Sequence, residues 1–253
     1  MDIVIIGSGN VAAVLGRKFM AAGHKILQIV SRNASAASGL AYEWDTESAN
    51  YLTLINRHAD VYIIAVSDNA LEELISQLKL PGKVVAHTAG SVSKEILKNV
   101  TSHYGVFYPL QSLRKEIERL PDIPVFFEGS DEKATNTLQR LAKSVSFEQP
   151  TPAGNEDRLK LHIAAIVVNN FTNQLYVLAE KFCQKEGLNF NLLLPLIEET
   201  VRRLKTTSPA NIMTGPATRQ DMDTIQKHIE LLKDHPQLQK IYKVITESIQ
   251  QTE

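Results

Sequence analysis

The chain has 253 residues, room for one large domain or two modest ones, and its 43% hydrophobic and 22% charged residues are those of an ordinary globular protein. A formal net charge of −1 offers no field that would gather nucleic acid or an anionic membrane, and the single cysteine, Cys183, excludes an intramolecular disulfide and a cysteine metal cluster. No apolar run is long enough to span a bilayer, and the chain opens on a core strand with no room for a signal peptide, so a cytoplasmic protein is expected.

Ile3 to Ile6 is a short continuous apolar run, as in a parallel strand covered on both faces. Gly7, Gly9 and Ala12 follow, and the pattern from Val11 to Met20 turns helical. Gly7 permits a tight turn out of the strand, Gly9 lets a pyrophosphate approach the backbone, and Ala12 lets the helix pack close to the strand. The helix N-terminus adds free N–H groups and a positive dipole end. Gly7, Ser8, Gly9, Asn10, Val11 and Ala12 therefore form the expected phosphate-binding stretch of a dinucleotide fold.

A second strand, Lys25 to Val30, ends in Ser31, Arg32 and Asn33. An NAD-specific fold places an acid here; this chain places a cation among small polar groups. Arg32 suits a 2′-phosphate, with Ser31 and Asn33 donating hydrogen bonds, so NADP is favoured over NAD. A merely solvated Arg32 would leave that preference open.

Ala34 to Asn50 reads as a short helix and loop, and Val61 to Val66 as a buried strand. Val66 and Ser67 then lie at a strand carboxyl end, where open α/β sheets bind ligands, although Ser67 or Asp68 also suits a helix cap. Pro81 and Gly82 mark a turn before the strand Val84 to Ala86. His87, Thr88, Gly90 and Ser91 follow it: His87 near the nicotinamide, Thr88 on the cofactor, Gly90 and Ser91 on the substrate, or else all in a structural loop with a satisfied histidine. Tyr104 to Tyr108 is the next strand, and Pro124 points to an edge position for the strand Ile123 to Phe127. Glu132 to Ser144 is an amphipathic helix, and Val145 to Phe147 closes the sheet.

The Pro- and Gly-rich stretch 149–154 reads as a linker, dividing a dinucleotide-binding domain, 1–150, from a helical domain, 151–253. In the latter, Glu156 to Glu186 is apolar on more than one face, as in a helix central to a bundle or a dimer, and Gly187 is a natural C-cap. Helices are expected from Asn191 to Lys205, from Asp221 to Lys233, and after Pro236. The expected fold is α/β: a Rossmann-type doubly wound sheet followed by an all-α C-terminal domain.

With these residues in view, the chain resembles the bacterial NADP oxidoreductases that join a Rossmann-like domain to a helical C-terminal domain of unknown function. They belong to the wider superfamily of pyrroline-5-carboxylate reductase, 6-phosphogluconate dehydrogenase and β-hydroxyacid dehydrogenase. The resemblance rests on the 7–12 glycine stretch, Ser31 to Asn33, the stretch from His87 to Ser91, and Tyr108 to Leu113. Asp157, Arg158, the stretches 161–165 and 169–171, and Thr214 to Arg219 with Asp221, Thr224 and His228 complete it. It implies NADP as cofactor, a small-molecule substrate bound in a cleft between the domains, and a homodimer through the C-terminal helices.

Hydroxyacid dehydrogenases of that superfamily carry a lysine and an asparagine four apart on the long helix; here Lys160 is followed by Ala164, so the pair is missing. His162 as proton donor with Asn170 orienting the substrate is the expected substitute, since imidazole suits general acid work near neutrality. A histidine satisfied inside a bundle is the bland alternative. Arg219 suits a substrate carboxylate, although pairing with Asp221, itself suited to an N-cap, is favoured. No histidine–carboxylate spacing points to a metal. The expected function is an NADP-dependent oxidoreductase moving hydride to or from a small carbonyl, imine or hydroxy compound. The rivals are a non-catalytic NADP-binding protein and a reductase with a deazaflavin partner.

Overall fold

The first strand divides its side chains between two cores: Ile3 and Ile5 enter one, Val4 and Ile6 the other. That alternation is why an unbroken apolar run is a strand here, since both faces of the sheet are covered. The computed structural model describes residues 1–116 and 119–251. They form two units, Met1–Ile166 and Val167–Glu253.

The sheet of the first unit contains β1 (Asp2–Ile6), β2 (Lys25–Val30), β3 (Glu47–Ala49), β4 (Val61–Ile64), β5 (Val84–His87), β6 (His103–Pro109), β7 (Val125–Gly129) and β8 (Thr151–Pro152). Their spatial order is β3-β2-β1-β4-β5-β6-β7-β8. The first six are parallel in the order of a dinucleotide-binding sheet, and the order reverses between β1 and β4. β7 is antiparallel to β6, and β8 parallel to β7. Helices α1 (Asn10–Ala21), α2 (Ala34–Glu43), α3 (Asp68–Gln77), α4 (Glu132–Val145) and α5 (Asn155–Ala165) complete this unit. α1 and α2 meet where the Trp44 indole lies so close to Gly16 that a Cβ there would stand 2.3 Å from the ring. Arg17 adds bidentate bonds of 2.6 and 2.8 Å to Glu43.

Three local expectations are corrected. Pro124 does not mark an edge: β7 starts one residue later and lies between β6 and β8. Proline is tolerated just before the strand because it needs only an acceptor there, and its carbonyl takes the Leu110 N–H at 2.9 Å. Val145 to Phe147 does not close the sheet; Val145 ends α4, inward on the same apolar face as Leu138 and Leu141. The sheet is closed by β8, inside the stretch read as a linker, where the Ala153 N–H donates to the Phe127 carbonyl at 3.0 Å.

The second unit is helical. A π segment (Ile166–Phe171) leads into α6 (Thr172–Lys185), followed by α7 (Leu194–Leu204), α8 (Pro209–Ile212), α9 (Met222–Leu231) and α10 (Pro236–Gln250). Gly187, at φ +69°, lets the chain leave α6 in the left-handed region. α10 packs back on α9 through the His228 Nδ1–Tyr242 hydroxyl bond of 2.8 Å, and the Lys185 ammonium of α6 donates at 2.8 Å to the carbonyl of Asp234, in the turn before α10.

Candidate active site

The carboxyl ends of β1, β2 and β4 surround a cavity of about 630 Å³. Gly7, Ser8, Gly9, Ser31, Arg32, Asn33, Val66 and Ser67 all line it, so the sequence-predicted cofactor residues converge on one space. Asn10, Val11 and Ala12 are the first turn of α1, which begins at the cavity with no side-chain cap. Its first N–H groups and dipole end are left for an anion.

The two glycines do different work. A Cβ on Gly7 would stand 2.2 Å from the Ala65 carbonyl oxygen, and its φ of +123° is closed to other residues. Gly9 has ordinary extended dihedrals, φ −81° and ψ −172°, and a Cβ there would meet no atom within 4 Å. Only something entering the cavity would need Gly9 bare. The structure thus fits a dinucleotide pyrophosphate by a cradle that a side chain would fill.

At the end of β2, the Ser8 and Ser31 hydroxyls lie 2.8 Å apart. Asn33 is spent on architecture: its Oδ1 accepts the Ala36 N–H at 3.0 Å and caps α2. Arg32 is also engaged, donating to Glu73 of α3 at 2.8 Å, a partner that sequence reasoning did not find. Across the sheet, Ser67 is the N-cap residue of α3 without a side-chain bond, and Asp68 instead accepts the Ser91 hydroxyl at 2.8 Å.

A second group gathers around the end of β6. The Tyr108 hydroxyl is 3.1 Å from His162 Nδ1, and the rings meet edge to face at 6.2 Å. Gly90 seats the Tyr108 ring, which a Cβ would approach to 2.8 Å. Burial, with the Asp68 carboxylate adding to it, pushes the Tyr108 hydroxyl up from its ordinary pKa. The phenol therefore stays protonated, a hydroxyl that donates to Nδ1 or accepts from it according to the tautomer of His162.

His87 is fully buried, and both its nitrogens serve the loop that follows. Nδ1 accepts the Ala89 N–H at 3.2 Å, so Nε2 donates to the Ser93 carbonyl at 3.3 Å. Thr88 is buried too, its backbone N–H on the Ile64 carbonyl at 3.1 Å. Burial first, and the Arg158 charge second, lower the His87 pKa to about 4. The unfolded chain takes up a proton below pH 6.5 that the folded chain refuses, so His87 withdraws stability as pH falls from 6.5 and has no further effect below about 4. The loss is about 3 kcal/mol. Urea unfolding at pH 7 and pH 4.5 should show this slope, and His87→Asn should flatten it; an unchanged slope would remove the assignment.

Arg158, fully buried on α5, ties this region together. It pairs with Glu128, donates to the Ala153 carbonyl at 2.8 Å, and reaches the Val92 carbonyl at 3.2 Å. Glu128 also pairs with Lys94. Burial pushes the Glu128 carboxyl up, but these two cations outweigh it and hold it below the usual range. Sequence reasoning used Arg158 only for resemblance. Its four-residue spacing from His162, one helical turn on α5, was the available signal.

Asn170 and Arg219 belong to the helical unit and are exposed. Asn170 lies in the π segment, its Oδ1 accepting from Asn169 at 3.3 Å. Because that segment intervenes, the α-helical period that paired Asn170 with His162 does not run through. Asp221 caps α9, accepting the Thr224 N–H at 3.1 Å and hydroxyl at 2.8 Å; these bonds, with a smaller contribution from the Arg219 charge, lower its pKa.

Residues 2–90 match the family described as NADP oxidoreductase, coenzyme F420-dependent, and residues 123–249 the domain of unknown function DUF2520. The chain is 36% identical to a provisionally named NADP oxidoreductase from Bacteroides fragilis, covering 98% of this chain and 97% of that one, with a TM-score of 0.89. At 16% identity it shares its fold with 1-pyrroline-5-carboxylate reductase from Streptococcus pyogenes, over 99% and 98% of the chains at a TM-score of 0.67. At 13% it shares it with an imine reductase from Streptomyces aurantiacus, over 98% and 93% at 0.65. No curated protein matches the sequence.

Proposed function

We propose, from the premise that this chain belongs to the family joining an NADP oxidoreductase domain to the DUF2520 domain, that it is an NADP-dependent oxidoreductase acting on a small carbonyl, imine or hydroxy compound. The observation that carries the reading is the bare Gly9 backbone facing open space at the uncapped start of α1. When bound, the cofactor supplies the hydride. The chain supplies the rest. Gly9 and the first turn of α1 hold the pyrophosphate, and Ser31 and Arg32 lie beside the adenosine ribose.

His162 is the proton donor in this reading: its imidazolium gives up the Nε2 proton and returns to the neutral ring, while Nδ1–H stays directed at the Tyr108 hydroxyl oxygen, which holds the ring in place. His87 is assigned to the loop rather than to proton transfer, because both its nitrogens are occupied. Gly90 and Ser91 shape the substrate side, and Asn170 and Arg219 are retained as substrate-orienting candidates. Imines are favoured within the substrate class because imine and pyrroline-5-carboxylate reductases share the fold. The protein is further read as a homodimer through its C-terminal helices, which leave Val168, Leu192 and Leu196 66–76% exposed on one chain. A monomer by light scattering at micromolar concentration would remove that part. A deazaflavin as second substrate is kept as the alternative, since the description of the matched family names it.

The first experiment is a titration with NADPH and NADH, read by nicotinamide fluorescence, followed by a screen of cyclic imines and small ketones. Selective NADPH binding and turnover are expected. Tyr108→Phe should lower kcat about tenfold and His162→Ala about 100-fold, with cofactor affinity unchanged. Binding of neither cofactor would end the oxidoreductase reading, and binding without turnover of any imine, ketone or deazaflavin would leave an NADP-binding protein.

A further inference from the structure

We infer that Glu73 is a cofactor-specificity determinant that holds back the preference of this site for NADPH over NADH. The inference rests on the reading that the cavity takes a nicotinamide dinucleotide.

One face of α3 forms a wall of the cavity: Ala70, Glu73, Leu74 and Gln77, at helical spacing, all line it. Among the described residues lining the cavity, Arg32 and Glu73 are the charged ones, and they are paired to each other at 2.8 Å. The positive charge that a 2′-phosphate needs is already neutralised. The acid that an NAD-binding strand end would carry is missing from β2 but arrives from α3, on the far side of the same space.

A 2′-phosphate adds about 1.5 to 2 negative charges at neutral pH. To reach Arg32 it must displace the Glu73 carboxylate or sit beside it, and both oppose binding. NADH meets neither cost: its 2′-hydroxyl is neutral and can donate to a carboxylate oxygen. The pair is open to solvent, with side chains 74% and 61% exposed, so it contributes little to folding and its rearrangement is easy. The acid therefore acts on the cofactor rather than on the fold.

The test is Glu73→Gln, which keeps the size and a hydrogen-bonding end while removing the charge. NADPH and NADH are titrated against wild type and variant at about 20 mM and about 500 mM salt. At low salt the variant should bind NADPH about five- to tenfold more tightly and NADH within about twofold of wild type, and the gain should shrink at high salt as screening replaces the lost repulsion. An unchanged NADPH-to-NADH ratio, with wild type binding normally, would overturn the role of Glu73 and leave the dinucleotide site intact. Wild type and variant both failing to bind either cofactor would overturn the site itself and Glu73 with it. Because the pair is exposed, the thermal unfolding midpoint of the variant should match wild type; a marked drop would assign Glu73 to the fold instead.

Discussion

Gly7→Val is expected to lower stability by about 3–5 kcal/mol, whereas Gly9→Val, two residues on, should stay within about 1 kcal/mol of wild type and lose dinucleotide binding by more than about 100-fold. The two substitutions add the same atoms to the same motif. At Gly7 the new Cβ would lie 2.2 Å from the carbonyl oxygen of Ala65, at a φ of +123° that valine does not adopt. A backbone carbonyl held in the sheet has nowhere to move. At Gly9 the dihedrals suit any residue and the space is open. What valine fills there is the approach to the N–H groups of α1. Urea unfolding and NADPH titration of both variants separate the effects. Retained NADPH affinity in Gly9→Val would show that the cavity is not where the dinucleotide binds.

The second large effect is expected at Arg158. Arg158→Ala should cost about 3–5 kcal/mol, because it leaves the Glu128 carboxylate half-buried with only Lys94 as partner and strands the Val92 and Ala153 carbonyls. Arg158→Met combined with Glu128→Met should recover much of that loss, since the penalty comes from an unpaired charge rather than from the pair itself. A double-mutant cycle in urea measures the coupling. A loss under about 1 kcal/mol in Arg158→Ala would mean that water reaches this cluster and that α5 is held to β7 by other means.

Much of the fold was legible in the residues themselves. The run Ile3–Ile6, the glycines after it and the helical pattern from Val11 specify a strand, a turn and a helix by local rules, and the structure has all three. Gly82 turns the chain before β5 and Gly187 ends α6 as expected, because a positive φ is a local demand that glycine meets. Elements of two or three residues were not legible. β3 and β8 are too short to carry a periodicity, and they exist because a neighbouring strand offers them a ladder. Pro124 misled for a related reason: proline excludes a donor at one position but does not say whether that position lies inside a strand or just before it.

The sequence by itself determined the dinucleotide-type sheet, the glycine turn and helix start after its first strand and the helical second half, because each depends on residue spacing within one segment. Only the tertiary structure decided which charges meet. Arg32 and Glu73 are 41 residues apart, Glu128 and Arg158 are 30 apart, and Tyr108 and His162 are 54 apart. No local pattern encodes such pairs. The first and the last arise near the edge where parallel strands bring their carboxyl ends, which turns a free arginine into a paired one and a lone histidine into the partner of a tyrosine, while Glu128 meets Arg158 from the antiparallel β7.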